Sequence, residues 1–170
     1  KKALELNMSK YKCSNVPEKK DRAHFSWSVD YLGYCLRYNL GDFSLDLSSE
    51  KIKKYKEKID VAFKDYLSSH HHEKPAKNFL IKRIRYLTHN TRLIGKKSNV
   101  VVGISSSNKY ITGNLGLSEL DDYLGTKIAT LPPWFLFDRL SEFSFSKGFE
   151  DKSTNYLKDK RLFKDHLGKD

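Results

Sequence analysis

At Ser48 the spacing of apolar residues changes, and that change sets the class of fold. Before it, Phe25, Trp27 and Val29 alternate with His24, Ser26 and Ser28, and Phe43, Leu45 and Leu47 alternate with Ser44 and Asp46. A repeat of two places successive side chains on opposite faces of a pleated strand. Between these runs lie the ring-rich stretch from Tyr31 to Tyr38 and the turn residues Asn39-Leu40-Gly41-Asp42. Residues 24–47 therefore predict two or three antiparallel strands, with most of their rings in the core. Gly33 inside the pattern predicts a bulge or the close approach of another backbone. After Ser48 the apolar residues Ile52, Tyr55, Ile59, Ala62, Phe63, Tyr66 and Leu67 recur at three and four, the signature of an amphipathic helix. Ser48 is its N-cap, and Glu50 in the first turn suits the helix dipole.

Residues 68–74 read as a linker. A second helix is expected from Pro75, with Ala76, Phe79, Leu80, Ile84 and Leu87 on one face and an end near Asn90. Residues 95–99 read as a turn. Residues 99–107 fit either a buried strand or an irregular packed segment. A short helix over 117–124 capped by Ser118 follows. Then comes one over 133–145, with Trp134, Phe137, Leu140 and Phe143 inward. A last charged helix is expected after Ser153 around Tyr156, Leu157, Phe163 and Leu167. Upstream, residues 4–10 read as the end of a helix or a short strand, and 13–22 as a loop. The expected fold is α+β and mostly α: a small antiparallel β-hairpin over 1–47, then a helical bundle over 48–170.

Charge narrows the partners. The 170 residues carry 32 Lys and Arg against 21 Asp and Glu, a formal charge of +11. A field of that sign attracts polyanions, nucleic acid first, with an anionic membrane surface or an acidic protein as alternatives. At 38% hydrophobic and 13% aromatic residues the chain has material for a core, which argues against disorder. Cys13 and Cys35 form no disulfide framework and have no metal-ligand neighbours, so a reducing, cytoplasmic setting is expected. The sequence shows no signal peptide and no apolar run long enough to cross a bilayer. Its first residues, Lys1-Lys2-Ala3-Leu4-Glu5-Leu6, read as entering mid-element, as a fragment would.

Two basic stretches are candidate contacts. On the helix after Ser48, Lys54 and Lys64 fall opposite the apolar stripe, and Lys51, Lys53 and Lys58 fall on its flanks. On the next helix, Lys82-Arg83-Ile84-Arg85 is followed by Arg92, Lys96 and Lys97. Lys82 and Arg85 lie across from Leu80 and Leu87, and arginine forks suit phosphate. Both stretches also match ordinary solvated helix faces. Exposed rings between Tyr31 and Tyr38 could stack on bases or sugars. His70-His71-His72 point in different directions along an extended loop, so no metal site is expected there. Asp121-Asp122 reads as structural, and no catalytic constellation stands out.

The order of these features resembles the C-terminal part of a bacterial reverse transcriptase of the antiphage, abortive-infection or defence-associated kind. Leu4-Glu5-Leu6-Asn7-Met8-Ser9-Lys10 resembles the segment that follows the catalytic aspartates. Val29-Asp30-Tyr31-Leu32-Gly33-Tyr34 resembles the primer grip, and residues 45–59 resemble the start of the thumb. Arg83-Ile84-Arg85-Tyr86-Leu87-Thr88-His89-Asn90-Thr91 and Asn99-Val100-Val101-Val102-Gly103-Ile104 resemble the helical region beyond. Order and spacing carry the resemblance, over residues 4–108.

The resemblance implies that Tyr31, Leu32 and Gly33 hold a primer end and that Lys10 lies near the phosphates of the incoming nucleotide. It implies that the helix after Ser48 runs along a template-primer duplex. The cations expected on nucleic acid are Lys51, Lys54, Lys58, Lys82, Arg85 and Arg92. The paired aspartates of the family, which hold two metal ions, should lie upstream of Lys1. This segment is therefore expected to be inactive alone and to need no cofactor, with magnesium only in a parent polymerase. Its expected partners are an RNA or DNA template-primer and the remaining palm and fingers, without a membrane. The alternatives are a self-contained basic RNA- or DNA-binding module and a protein-interaction domain with a solubilising basic surface.

Overall fold

A computed structural model of the chain describes residues 26–69, 74–94, 99–132, 137–151 and 154–156. Strands β1 (Ser26–Tyr31), β2 (Tyr34–Asn39) and β3 (Asp42–Leu47) form an antiparallel sheet in that order. Two-residue turns join them, because Tyr31 pairs with Tyr34 and Asn39 with Asp42. Leu32 and Gly33 have φ of 48° and 80°, and Leu40 and Gly41 have 50° and 96°. Two positive φ values in succession make a turn whose twist matches the strands beside it. Glycine accepts that backbone freely, whereas each leucine costs about 1 kcal/mol. Gly33 is thus a turn residue, not a bulge. A second backbone does approach it: the Ser48 N–H donates to its carbonyl at 3.2 Å.

The register sorts the sheet into two faces. Trp27, Tyr38 and Phe43 form one cross-strand row, and Val29, Leu36 and Leu45 form another on the same side. Asp30, Cys35 and Asp46, and then Ser28, Arg37 and Ser44, form rows on the other. Asp46 and Cys35 are buried. Trp27 and Tyr38 are only half covered, and Phe43 is 58% exposed. The rings expected inside thus stand on the less covered side, with Trp27 stacked on Tyr38 at 6.4 Å. At the β3 end, Leu47 enters the main core.

Helix α1 (Ser49–Ser68) buries Ile52, Ile59, Ala62, Phe63 and Tyr66, and the Ser48 side chain accepts from the Lys51 N–H. Leu67 is 47% exposed, because it falls about a quarter-turn off the stripe. Helix α2 (Lys74–Thr88) buries Leu80, Ile84 and Leu87, and also Arg83, which pairs with Asp65 at 2.5 Å. Beyond it the chain forms strands where few were expected. Strand β4 (Asn90–Ile94) pairs antiparallel with β5 (Asn99–Val102) and parallel with β6 (Thr154–Tyr156). Val100 is 46% exposed, so β5 is not the buried strand that was one reading of 99–107. Residues 154–156 are extended, not the start of a last helix. Asn90 makes the fold here: its Oδ1 accepts from the Ser105 and Ser106 N–H groups, and its Nδ2 donates to the Gly148 and Asp151 carbonyls.

Four further helices are α3 (Ile104–Ser107), α4 (Leu115–Ala129), α5 (Phe137–Ser141) and α6 (Phe145–Glu150). Helix α4 is longer than expected and starts after Asn114, which leaves Ser118 inside it. The single helix expected over 133–145 is broken, because Ser144 caps a new one. Asp121 fixes that break. Its carboxylate accepts from the Ser144 hydroxyl at 2.8 Å and from the N–H groups of Phe145 and Ser146 at 2.5 and 3.1 Å. The expected structural role of Asp121 is thereby given a mechanism. The main core joins α1, α2, α4 and α6 through residues such as Ile59, Leu80, Leu120, Leu124 and Phe145. No helix among the described residues is long and apolar enough to cross a membrane.

Replacing Asp121 by Ala removes a carboxylate that satisfies two N–H groups at the start of α6. The expected loss is about 1–2 kcal/mol of folding stability, read from urea denaturation. An unchanged midpoint would show that this cap does not hold α6 in place.

Candidate nucleic-acid interface

The first hairpin and the start of α1 form one unit. Asp30, at the end of β1, accepts from the Ser49 N–H at 3.0 Å and from its hydroxyl at 2.5 Å. Ser48 N–H donates to Gly33, so both ends of the Leu32-Gly33 turn are tied to the helix. Lys51 then lies across the turn. Its side chain comes within 3.6 Å of the point where a Gly33 Cβ would stand, an ordinary contact distance, so the positive φ rather than space is what favours glycine there. The Lys51 ammonium is 5.1 Å from the centre of the Tyr34 ring and donates to the Ser107 carbonyl at 3.5 Å. Tyr31 and Leu32 project beside it, 66% and 78% exposed.

Along α1 the cations divide into two flanks. Lys51, Lys54 and Lys58 recur at three and four with Tyr55 among them. Lys58 sits over the Tyr55 ring at 5.8 Å. Tyr55 is held edge-on to Phe145 at 5.6 Å and by the Asn108 amide at 3.4 Å. The buried Asn108 in turn positions the residues after it. Lys109 lies over Tyr110 at 4.9 Å, and Tyr110 meets Tyr34 edge-on at 6.2 Å. Lys51, Lys58 and Lys109 thus each lie over a tyrosine ring, with Lys51 at the hairpin turn. Rings beside ammonium groups suit a polyanion whose bases or sugars offer flat faces. Lys54 is tempered by Glu50 at 2.8 Å, an exposed pair one helical turn away.

The opposite flank is neutral. Lys56 pairs with Glu119 at 2.6 Å, and Lys127 pairs with Asp60 at 2.6 Å. The Tyr123 hydroxyl also donates to Asp60. Burial works against the Asp60 charge, but Lys127 and the Tyr123 hydroxyl overcome it and hold its carboxyl below the usual range. These lysines join α1 to α4.

The other expected contacts are placed apart. Lys82 and Arg85 are exposed on the outer side of α2. Burial, and after it the Arg85 charge, lowers the pKa of His89, whose ring packs edge-on against Phe143 at 5.5 Å. Arg92 is half-buried on β4 with its Nε enclosed, so it is partly turned from solvent. Lys10 and His70-His71-His72 lie outside the described residues. Lys109 and Tyr110 were missing from the sequence reading. Nothing in their local pattern marks them, and long-range contacts place them: Asn108 with Tyr55, Tyr110 with Tyr34 and Lys51 with the Ser107 carbonyl. Among the described residues no group of His, Cys, Asp and Glu is arranged to hold a metal ion. No family model matches the chain, and neither the curated proteins nor the solved structures compared with it include a match.

Burial lowers the pKa of Lys51, and burial followed by repulsion from Lys54 lowers that of Lys58. For a lysine this sign means that the fold resists the charge. The loss of stability is present below the lowered pKa and is relieved as pH rises through it towards 10.5. Replacing Lys51 by Met should therefore leave thermal stability equal or higher at neutral pH. A purely structural ammonium would instead make the variant less stable.

Proposed function

We propose that the chain binds and positions template-primer nucleic acid as part of an RNA-directed DNA polymerase of the reverse-transcriptase type. One observation supports this most. The Leu32-Gly33 turn is bonded to the start of α1, so the hairpin and the lysine flank make a single surface. In this reading the turn with Tyr31 and Leu32 meets the end of a primer. Lys51, Lys58 and Lys109 meet backbone phosphates, and Tyr34 and Tyr110 lie where sugars or bases pass. The flank of α1 bearing Lys56 takes no part, because its charge is spent on α4. Lys82, Arg85 and Arg92 contribute less, being on α2 and β4. Metal chemistry would be supplied by the catalytic aspartates of a parent or partner chain, with magnesium there and none needed in this segment. The same reading places the protein in the cytoplasm and in defence against phage.

Each phosphate neutralised by a lysine releases counterions, so affinity should fall steeply with salt. Charge reversal at Lys51 and Lys58 together (K51E/K58E) should weaken duplex or hybrid binding about tenfold to a hundredfold near 50 mM salt. It should also lower the slope of log affinity against log salt by about 2. Reversal at Lys56 and Lys127 should alter stability more than affinity. Equal affinity in wild type and K51E/K58E, by fluorescence anisotropy at two salt concentrations, would exclude this surface. It would favour the reading of a solubilising basic exterior.

A further inference from the structure

Ser28 stands opposite Arg37, and Arg37 opposite Ser44, so two hydroxyls flank a guanidinium on the polar face of the three-stranded sheet. Arg37 Nε is buried and makes no hydrogen bond. None of the ion pairs among the described residues includes Arg37. Two hollows meet at this row. The larger, 570 Å³, is bordered by Ser26, Ser28, Arg37, Asn39, Ser44 and Leu115 among its walls. The smaller, 330 Å³, shares Ser28 and Arg37 and continues to Asp30, Cys35, Ser49 and Glu119.

The carboxylates in the smaller hollow are already engaged. Asp30 accepts from the Ser49 N–H and hydroxyl, and Glu119 pairs with Lys56. The carboxylate of Asp46, in the next row, accepts from the N–H groups of Leu47 and Gly116. Asp46 is held through its Oδ1 alone, its buried Oδ2 making no hydrogen bond, as the enclosed Nε of Arg37 makes none. Arg37 lines both hollows between the two serines. A fork of N–H donors between two hydroxyls matches the several oxygens of a tetrahedral anion. A hollow of this size accepts a small molecule rather than a bare ion.

We propose that this groove binds a phosphate-bearing ligand of mononucleotide size, with Arg37, Ser28 and Ser44 on the phosphate. The ligand could be a free nucleotide or the phosphorylated end of a nucleic-acid strand, which present the same chemistry. The site shares no residue with the lysine–tyrosine face, so the two assignments succeed or fail separately.

Calorimetric titration of the full chain with a nucleoside monophosphate, the same nucleoside without phosphate, and a short oligonucleotide with and without a 5′-phosphate tests it. At least one phosphate-bearing probe should bind about tenfold or more tightly than its counterpart without that terminal phosphate. R37K, which keeps the charge but loses the fork, and S28A/S44A should each weaken that binding about tenfold or more. K53E, at an exposed lysine on the far side of α1, should leave nucleotide binding unchanged. Near-UV circular dichroism of R37K and S28A/S44A checks that both fold. A free nucleotide is the source if the monophosphate binds at least as tightly as the 5′-phosphorylated strand, and a strand end is the source if the order reverses. The absence of phosphate-dependent binding overturns the proposal, as does binding that the two folded variants leave intact.

Discussion

The carboxylate of Asp30 on the first N–H of α1 is the contact that makes a surface out of separate elements. A helix begins with N–H groups that have no partner within it, and a negative charge there is favoured by the helix dipole. Asp30 adjoins Tyr31 at the end of β1, so holding the helix also holds the hairpin turn. Ser48 then reaches Gly33, and Lys51, three residues further on, can only fall across the turn and the Tyr34 ring. The same device recurs twice. Asp46 on β3 accepts from Gly116 in the first turn of α4, and Asp121 on α4 accepts from Phe145 and Ser146 in α6. Strand holds helix, and helix holds helix, through carboxylates borrowed from elsewhere in the chain.

This arrangement decides where a polyanion can be met. The starts of α1, α4 and α6, which in other folds are ready sites for phosphate, are here filled by the chain's own aspartates. Between α1 and α4, Asp60 of α1 pairs with Lys127 and Glu119 of α4 pairs with Lys56. Lys51, Lys54 and Lys58 stand on the other flank, joined by Lys109 across the tyrosine rings, and Lys53 and Lys64 stand on the far side of the helix. Lysines lie over tyrosine rings on both flanks, Lys56 and Lys127 over Tyr123 and Lys51 and Lys58 over Tyr34 and Tyr55. The flanks differ in that Lys56 and Lys127 also carry ion pairs that join α1 to α4.

Legibility in the sequence followed the range of the interactions. The strands from Ser26 to Leu47 and the helix capped by Ser48 depend on local alternation, turn residues and a capping side chain, and all were readable. Which face of the sheet turns inward was not. Alternation separates Trp27, Tyr38 and Phe43 from Asp30, Cys35 and Asp46, but only the docking of α1 and α4 buries the polar row. Strand β4 was hidden because its partner β6 lies more than sixty residues away, at Thr154 opposite Asn90. The break between α5 and α6 depends on Asp121, more than twenty residues upstream, and local periodicity there reads as one helix. At the candidate site, the lysine helix and the Leu-Gly turn were legible, whereas Lys109 and Tyr110 owe their place to a buried Asn108.

The most direct test of the lysine–tyrosine face is a lysine-modification footprint. The chain is acetylated briefly with and without a template-primer duplex, and each lysine is quantified by mass spectrometry. Lys51, Lys58 and Lys109 should become protected together when the duplex is present, while Lys53 and Lys64 on the far side of α1 react as before. Protection centred on Lys53 and Lys64, or no protection at Lys51 and Lys58 under conditions where the duplex is bound, would contradict the account.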